Sequence, residues 1–263
     1  MRTMLLTALV GMSLVPGLAL ADSPFDGTWK ADLNSVDFSK KPDVYVLKDG
    51  MYTCKTCAPA YTIKADGSDQ RVSGHPGFDT VAIKVVDAHT VQQTNKKGGK
   101  TVYTETDTVA PDGKTVDIGF TDSSNSKGSP VTGKVSAKQV AAGPTKSNAI
   151  SGSWITTSVS GLSDAALSVT YKTDGDMLSM TDPTGESFDA KMDGTEAAFN
   201  GSPDVTNVSV KKAGARTLVQ TTSRNGKIVN LRHMTVSKDG KTMKVSSHNE
   251  MTGQMTSWTN QKS

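Results

Sequence analysis

"GHPGFDTVAIKVVDAHTVQQTNKKGGKTVYTETDTVAPDGKT", residues 74–115, recurs as "GSPDVTNVSVKKAGARTLVQTTSRNGKIVNLRHMTVSKDGKT", residues 201–242. The two stretches align without a gap at an offset of 127, and 17 of 42 positions are identical. The shared positions include Gly74/Gly201, Pro76/Pro203 and the turn Asp112-Gly113-Lys114-Thr115, repeated as Asp239-Gly240-Lys241-Thr242. Outward from this pair, "YTIKADG" (61–67) meets "FDAKMDG" (188–194) at the same offset. Further upstream "GTWK" (27–30) meets "GSWI" (152–155), and "LKDG" (47–50) meets "KTDG" (172–175), both at an offset of 125. The chain is a tandem duplication of one structural unit.

Each copy reads as β-structure. Val81, Ile83 and Val85 alternate onto one face, as do Val208 and Val210, which is the period of a half-buried strand. "KTVYTETDTV" (100–109) and "KIVNLRHMTV" (227–236) are Thr- and Val-rich runs of strand length. Gly98-Gly99, Asn225-Gly226, Asp112-Gly113 and Asp239-Gly240 separate the runs, and such dipeptides supply the positive φ of tight hairpins. Helical periodicity is confined to a turn or so near Ser160–Ala166. The pattern predicts an all-β protein of two antiparallel meanders with eight or nine strands each. A meander of that length closes into a barrel or splits into a sandwich, and closure removes the exposed edges. "VTGKVSAKQV" (131–140) and "GQMTSWTNQK" (253–262) are the expected closing strands.

The organisation follows from these boundaries. Residues 1–21, "MRTMLLTALVGMSLVPGLALA", combine Arg2, an apolar stretch and the small-residue ending Ala19-Leu20-Ala21. This is the pattern of a secretory signal peptide, with cleavage expected before Asp22. The apolar stretch is too short for a membrane span and is interrupted by Pro16-Gly17. Residues 22–142 form the first expected barrel, 143–149 a linker within "AAGPTKSNA", and 150–263 the second barrel. The expected location is periplasmic or secreted, with no membrane insertion.

The formal net charge of the chain is +3, with signs interspersed, and aromatic residues make up 5%. No basic patch interleaved with aromatics is present, so nucleic acid is not an expected partner. The two cysteines, Cys54 and Cys57, fall where the repeat offset changes by two residues, between Gly50 and Tyr61. The second copy has "MLSMTDPTGES" (177–187) there, with a turn signal and no cysteine. Haem attachment would need a histidine at position 58, which is Ala58. Thioredoxin-like exchange would need a helix N-terminus, but Pro59 and a strand follow. Zinc would need His75 or His89 from elsewhere. An exported chain favours the remaining reading, a local disulfide beside a turn.

His75, His89, His233 and His248 show no metal-ligand spacing, and His75 reads as a turn residue before Pro76. Glu105 and Asp107 share one strand face, but the second copy has Arg232 and Met234 there. They are expected on a solvated outer face. The methionines concentrated in the second copy (Met177, Met180, Met192, Met234, Met243, Met251, Met255) read as core filler, or alternatively as an adaptable apolar lining. No nucleophile elbow, P-loop or dinucleotide fingerprint is present. No catalytic, cofactor or metal residue is therefore assigned.

The copies open as "SPFDGTWKAD" and "NAISGSWITT", each an apolar residue followed by Gly-x-Trp on the first strand. This opening resembles that of lipocalins and fatty-acid-binding proteins, the calycin barrels, and "FDGTWK" is especially similar to the latter. The repeat as a whole also resembles a group of secreted bacterial lipocalin-like proteins of unknown role. The resemblance implies that Trp29 and Trp154, with Gly27 and Gly152, are structural residues closing barrel ends. The last strand carries no Arg-x-Tyr, so the resemblance extends to the barrel rather than to a fatty-acid site. The function expected is non-enzymatic binding of a small apolar or amphipathic molecule inside a barrel. A structural module with filled barrels and an envelope protein partner is the alternative, and a thiol-disulfide protein using Cys54 and Cys57 the third.

Overall fold

The computed structural model describes residues 23–125 and 128–263. The leader and its cleavage point lie outside the described residues. The first repeat contributes β1 (Gly27–Asp37), β2 (Asp43–Lys48), β3 (Met51–Cys54), β4 (Tyr61–Lys64), β5 (Gln70–Arg71), β6 (Thr80–Val85), β7 (Thr90–Lys97), β8 (Lys100–Val109), β9 (Thr115–Asp122) and β10 (Val131–Ala142). The second contributes β11 (Gly152–Ser160), one helical turn α1 (Asp164–Leu167), then β12 (Ser168–Asp174), β13 (Met177–Thr181), β14 (Ser187–Lys191) and β15 (Asp193–Asn200). It ends with β16 (Asn207–Gly214), β17 (Thr217–Arg224), β18 (Lys227–Val236), β19 (Thr242–Asn249) and β20 (Gln254–Lys262).

The protein is all-β, built of two antiparallel barrels of ten strands each rather than eight or nine. The additional strands are short pieces around the Asp-Gly turns Asp66-Gly67 and Asp193-Gly194, where Gly67 (φ 80°) and Gly194 (φ 95°) take the left-handed conformation. The chain turns there between β4 and β5 and between β14 and β15.

The barrels do not follow the repeat boundary, because their first strands are exchanged. β1 pairs antiparallel with β12 and β20, closing the barrel formed by the second repeat, here the second barrel. β11 lies between β2 and β10 in the barrel formed by the first repeat, here the first barrel. This corrects the expected division into barrels at 22–142 and 150–263. Residues 143–149 likewise do not join the barrels. They connect β10 to its neighbour β11 inside the first barrel, where Asn148 N–H donates to the Leu47 carbonyl at 2.9 Å. The chain crosses between barrels instead at 38–42, between β1 and β2, and at 161–167, which contains α1.

The exchange reaches the cores. Phe25 and Trp29 are buried with Tyr171, Leu178, Phe188, Val208 and Met243 of the second barrel. Ile150 and Trp154 are buried with Leu47, Tyr52, Ile63, Val81 and Val109 of the first. The two tryptophans occupy equivalent seats. Trp29 Nε1 donates to the Phe25 carbonyl and Trp154 Nε1 to the Ile150 carbonyl, both at 2.8 Å.

The second barrel is closed, and the first has no ladder between β4 and β5. Side chains cover that gap. His75 stacks on Phe78 with ring centroids 4.6 Å apart and meets the edge of Tyr61 at 5.5 Å. Cys54 ends β3 beside this region, and its sulfur lies 2.03 Å from that of Cys57, at disulfide distance. Among the described residues no helix is long and apolar enough to cross a membrane.

Candidate functional site

Alternation along β18 builds the site. Met234 and Val236 are buried in the core of the second barrel. Side chains two residues apart share a face, so Arg232 also points inward. β17 supplies Gln220 by the same rule, in register with Arg232 across the ladder. β20 supplies Trp258, and β1 supplies the apolar Ala31, Leu33 and Val36. Together they line a cavity of about 470 Å3, with Leu162 and Leu167 of the second crossing at its border. Apolar walls with a few converging polar groups, in a volume of this size, are the usual form of a small-molecule site.

The Arg232 guanidinium stands 5.7 Å from the centroid of the Trp258 ring, a cation–π distance. The Trp258 indole N–H donates to Asn260 Oδ1 at 2.8 Å, which orients the ring. Two polar atoms in this cavity are buried without a hydrogen-bond partner, Arg232 Nε and Gln220 Oε1. Gln220 is 3% exposed. Buried polar groups are nearly always satisfied, so these two are groups that a bound molecule could satisfy. Burial pushes the Tyr171 phenol up, while Arg232 opposes the shift. Glu186, at the cavity border, is raised by burial and by Asp182.

The first barrel has the opposite charge, Glu105, at the position of Arg232, and a second acid, Asp107, at that of Met234. Glu105 and Asp107 do not face solvent: they point into the barrel with Tyr103 and Val109, and Asp107 is 6% exposed. This corrects the expected outer face, and the period of two explains it. Val109 is a core residue, so residues 107, 105 and 103 must share its side of the strand. The Tyr103 hydroxyl donates to Glu105 Oε2 at 2.6 Å. Burial raises both carboxyls, and for Asp107 the charge of Glu105 raises it further.

The other candidate residues fall outside these interiors' chemistry. Gly27 and Gly152 begin β1 and β11 with φ of 119° and 150°. A Cβ at Gly152 would come within 2.7 Å of the Ala141 carbonyl oxygen, and one at Gly27 within 2.8 Å of Lys262 Cε. The glycine of Gly-x-Trp thus lets β11 approach β10. Cys54 is buried and belongs to the first core. His248 pairs with Glu250 at 2.9 Å, and His233 is exposed. Among the described residues no His, Cys, Asp and Glu side chains gather into a metal site. Met180, Met192, Met234 and Met243 are buried, with Met180 and Met234 also facing the cavity, whereas Met251 and Met255 are exposed. Trp258 and Gln220 carry no motif. Their signal is parity with core residues on the same or the neighbouring strand.

No protein-family model matches the chain, and a search of curated proteins found no match. The class is therefore defined by architecture: an all-β protein of one closed and one nearly closed ten-stranded antiparallel barrel, consistent with a calycin-like barrel.

Proposed function

We propose that this is an exported, non-enzymatic binding protein of lipocalin-like type that holds a small amphipathic molecule in its second barrel. The observation that carries this reading is the cavity of about 470 Å3, lined by apolar side chains and by the partnerless Arg232 Nε and Gln220 Oε1. The apolar part of the ligand would lie along Leu33, Val36 and Met234. An acidic group would face Arg232, since a guanidinium is the preferred partner of a planar anion. Export is supported by the leader-like residues 1–21.

The test uses three probes of one chain length on the full chain without its leader: decanoate, decanol and decylamine, titrated by calorimetry. Decanoate should bind best, and Arg232→Gln should weaken it by about tenfold or more while leaving decanol little changed. Absence of binding by all three, or decanoate binding insensitive to Arg232→Gln, would remove this function.

A further inference from the structure

The second barrel places one cation opposite an aromatic ring, and the first places two carboxylates among several. Tyr45, Tyr52 and Tyr61 run across β2, β3 and β4 with ring centroids 6.1 and 6.4 Å apart. Tyr103 stacks on Phe120 at 6.3 Å on the neighbouring wall. Glu105 and Asp107 share the inner face of β8 with Val109, and Val109 belongs to the core that holds Tyr52, with Tyr45 packed against it. Neither carboxylate forms an ion pair among the described residues. Asp107 Oδ1 is buried without any hydrogen-bond partner.

A buried acidic pair with no cation is costly to maintain, and a metal does not fit it. The carboxylates belong to no group of three or more metal-ligating side chains among the described residues, and aromatic faces are not ligands for a hard cation. Carboxylates beside tyrosine rings do suit an organic ammonium, which donates hydrogen bonds to oxygen and gains cation–π attraction from ring faces.

We propose that the first barrel binds a small organic ammonium ion between Glu105 and Asp107, with Tyr45, Tyr52 and Tyr103 as its aromatic walls. The chain then carries two sites of opposite preference, with Glu105 and Asp107 of one copy replaced by Arg232 and Met234 in the other. This site is separate from the second barrel's cavity, and either can fail without the other.

The experiment titrates the full chain without its leader with phenethylamine, its anionic counterpart 3-phenylpropionate, and calcium, by calorimetry. Phenethylamine should bind. The Glu105→Gln/Asp107→Asn double variant should lose about tenfold or more in affinity, and Arg232→Gln should leave the amine unaffected. Tyr45→Leu, which keeps both carboxylates, should weaken the amine by about threefold or more; it carries the test if the double variant fails to fold, as judged by circular dichroism. No amine binding would overturn the proposal. So would amine binding unchanged in the double variant and in Tyr45→Leu, or calcium binding that the double variant abolishes.

Discussion

Trp29 and Trp154 sit in equivalent seats but in each other's barrel, and this makes a single substitution informative. Trp29→Ala should cost about 3–5 kcal/mol, as expected for a large buried aromatic, and so should Trp154→Ala. The amide shifts caused by Trp29→Ala should concentrate in 168–262, and those of Trp154→Ala in 43–142. A protein without exchanged strands would show the reverse assignment. The glycines two residues before the tryptophans should differ. Gly152→Ala meets a backbone carbonyl, whereas Gly27→Ala meets the flexible end of Lys262. Gly152→Ala should therefore be the more destabilising, by about 1–3 kcal/mol relative to wild type, measured by urea unfolding. The acidic pair gives a pH prediction. A carboxyl raised in the folded state binds its proton more tightly there than in the unfolded chain, where it titrates near 4. Stability is then unpenalised below about pH 4 and falls as pH rises toward the raised folded value. Glu105→Gln/Asp107→Asn should accordingly stabilise the protein at pH 7 and have little effect at pH 4, as read from melting temperature at the two pH values.

At the scale of elements, the disulfide spans the end of β3 and the following turn. Its loop of four residues is short, so Cys54→Ser/Cys57→Ser should lose only about 2 kcal/mol by chain entropy, read from the urea midpoint. The strands themselves were legible in the sequence because alternation and Asp-Gly turns are local signals. β6, β8, β16 and β18 follow Val81, Val109, Val208 and Val236 directly. The inward direction of Arg232, Glu105 and Asp107 was equally readable from that parity. Their charge points the other way, toward solvent, and misleads here because these barrels keep polar groups in their interiors. The exchange of β1 and β11 was not legible. Both strands carry Gly-x-Trp in the same register, and both are flanked by connections able to reach either barrel. A duplicated sequence makes the two pairings locally equivalent, so the choice is settled by tertiary geometry over more than a hundred residues.

For the whole molecule, the exchange ties the two barrels into one cooperative system. Each barrel takes one of its ten strands, and a tryptophan of its core, from the other repeat. Neither can lose its first strand without disturbing the chain that crosses at 38–42 or 161–167. Calorimetry of the full chain should show one transition with equal calorimetric and van't Hoff enthalpies. Two resolved transitions would mean that the barrels melt independently. Residues 22–142 and 150–263, produced separately and mixed, should associate through the same exchange and gain stability on mixing, which analytical ultracentrifugation and melting would detect together.

The position of β1 also sets an order of events. As the chain leaves the ribosome, β1 emerges before any other strand, but its partners β12 and β20 come more than a hundred residues later. The first barrel can assemble once β11 has emerged. The second must wait for β20, at the far end of the chain, before both edges of β1 have neighbours. Contacts so distant in sequence are slow to form. The first strand to be made is thus the last to be seated, once β12 and β20 flank it.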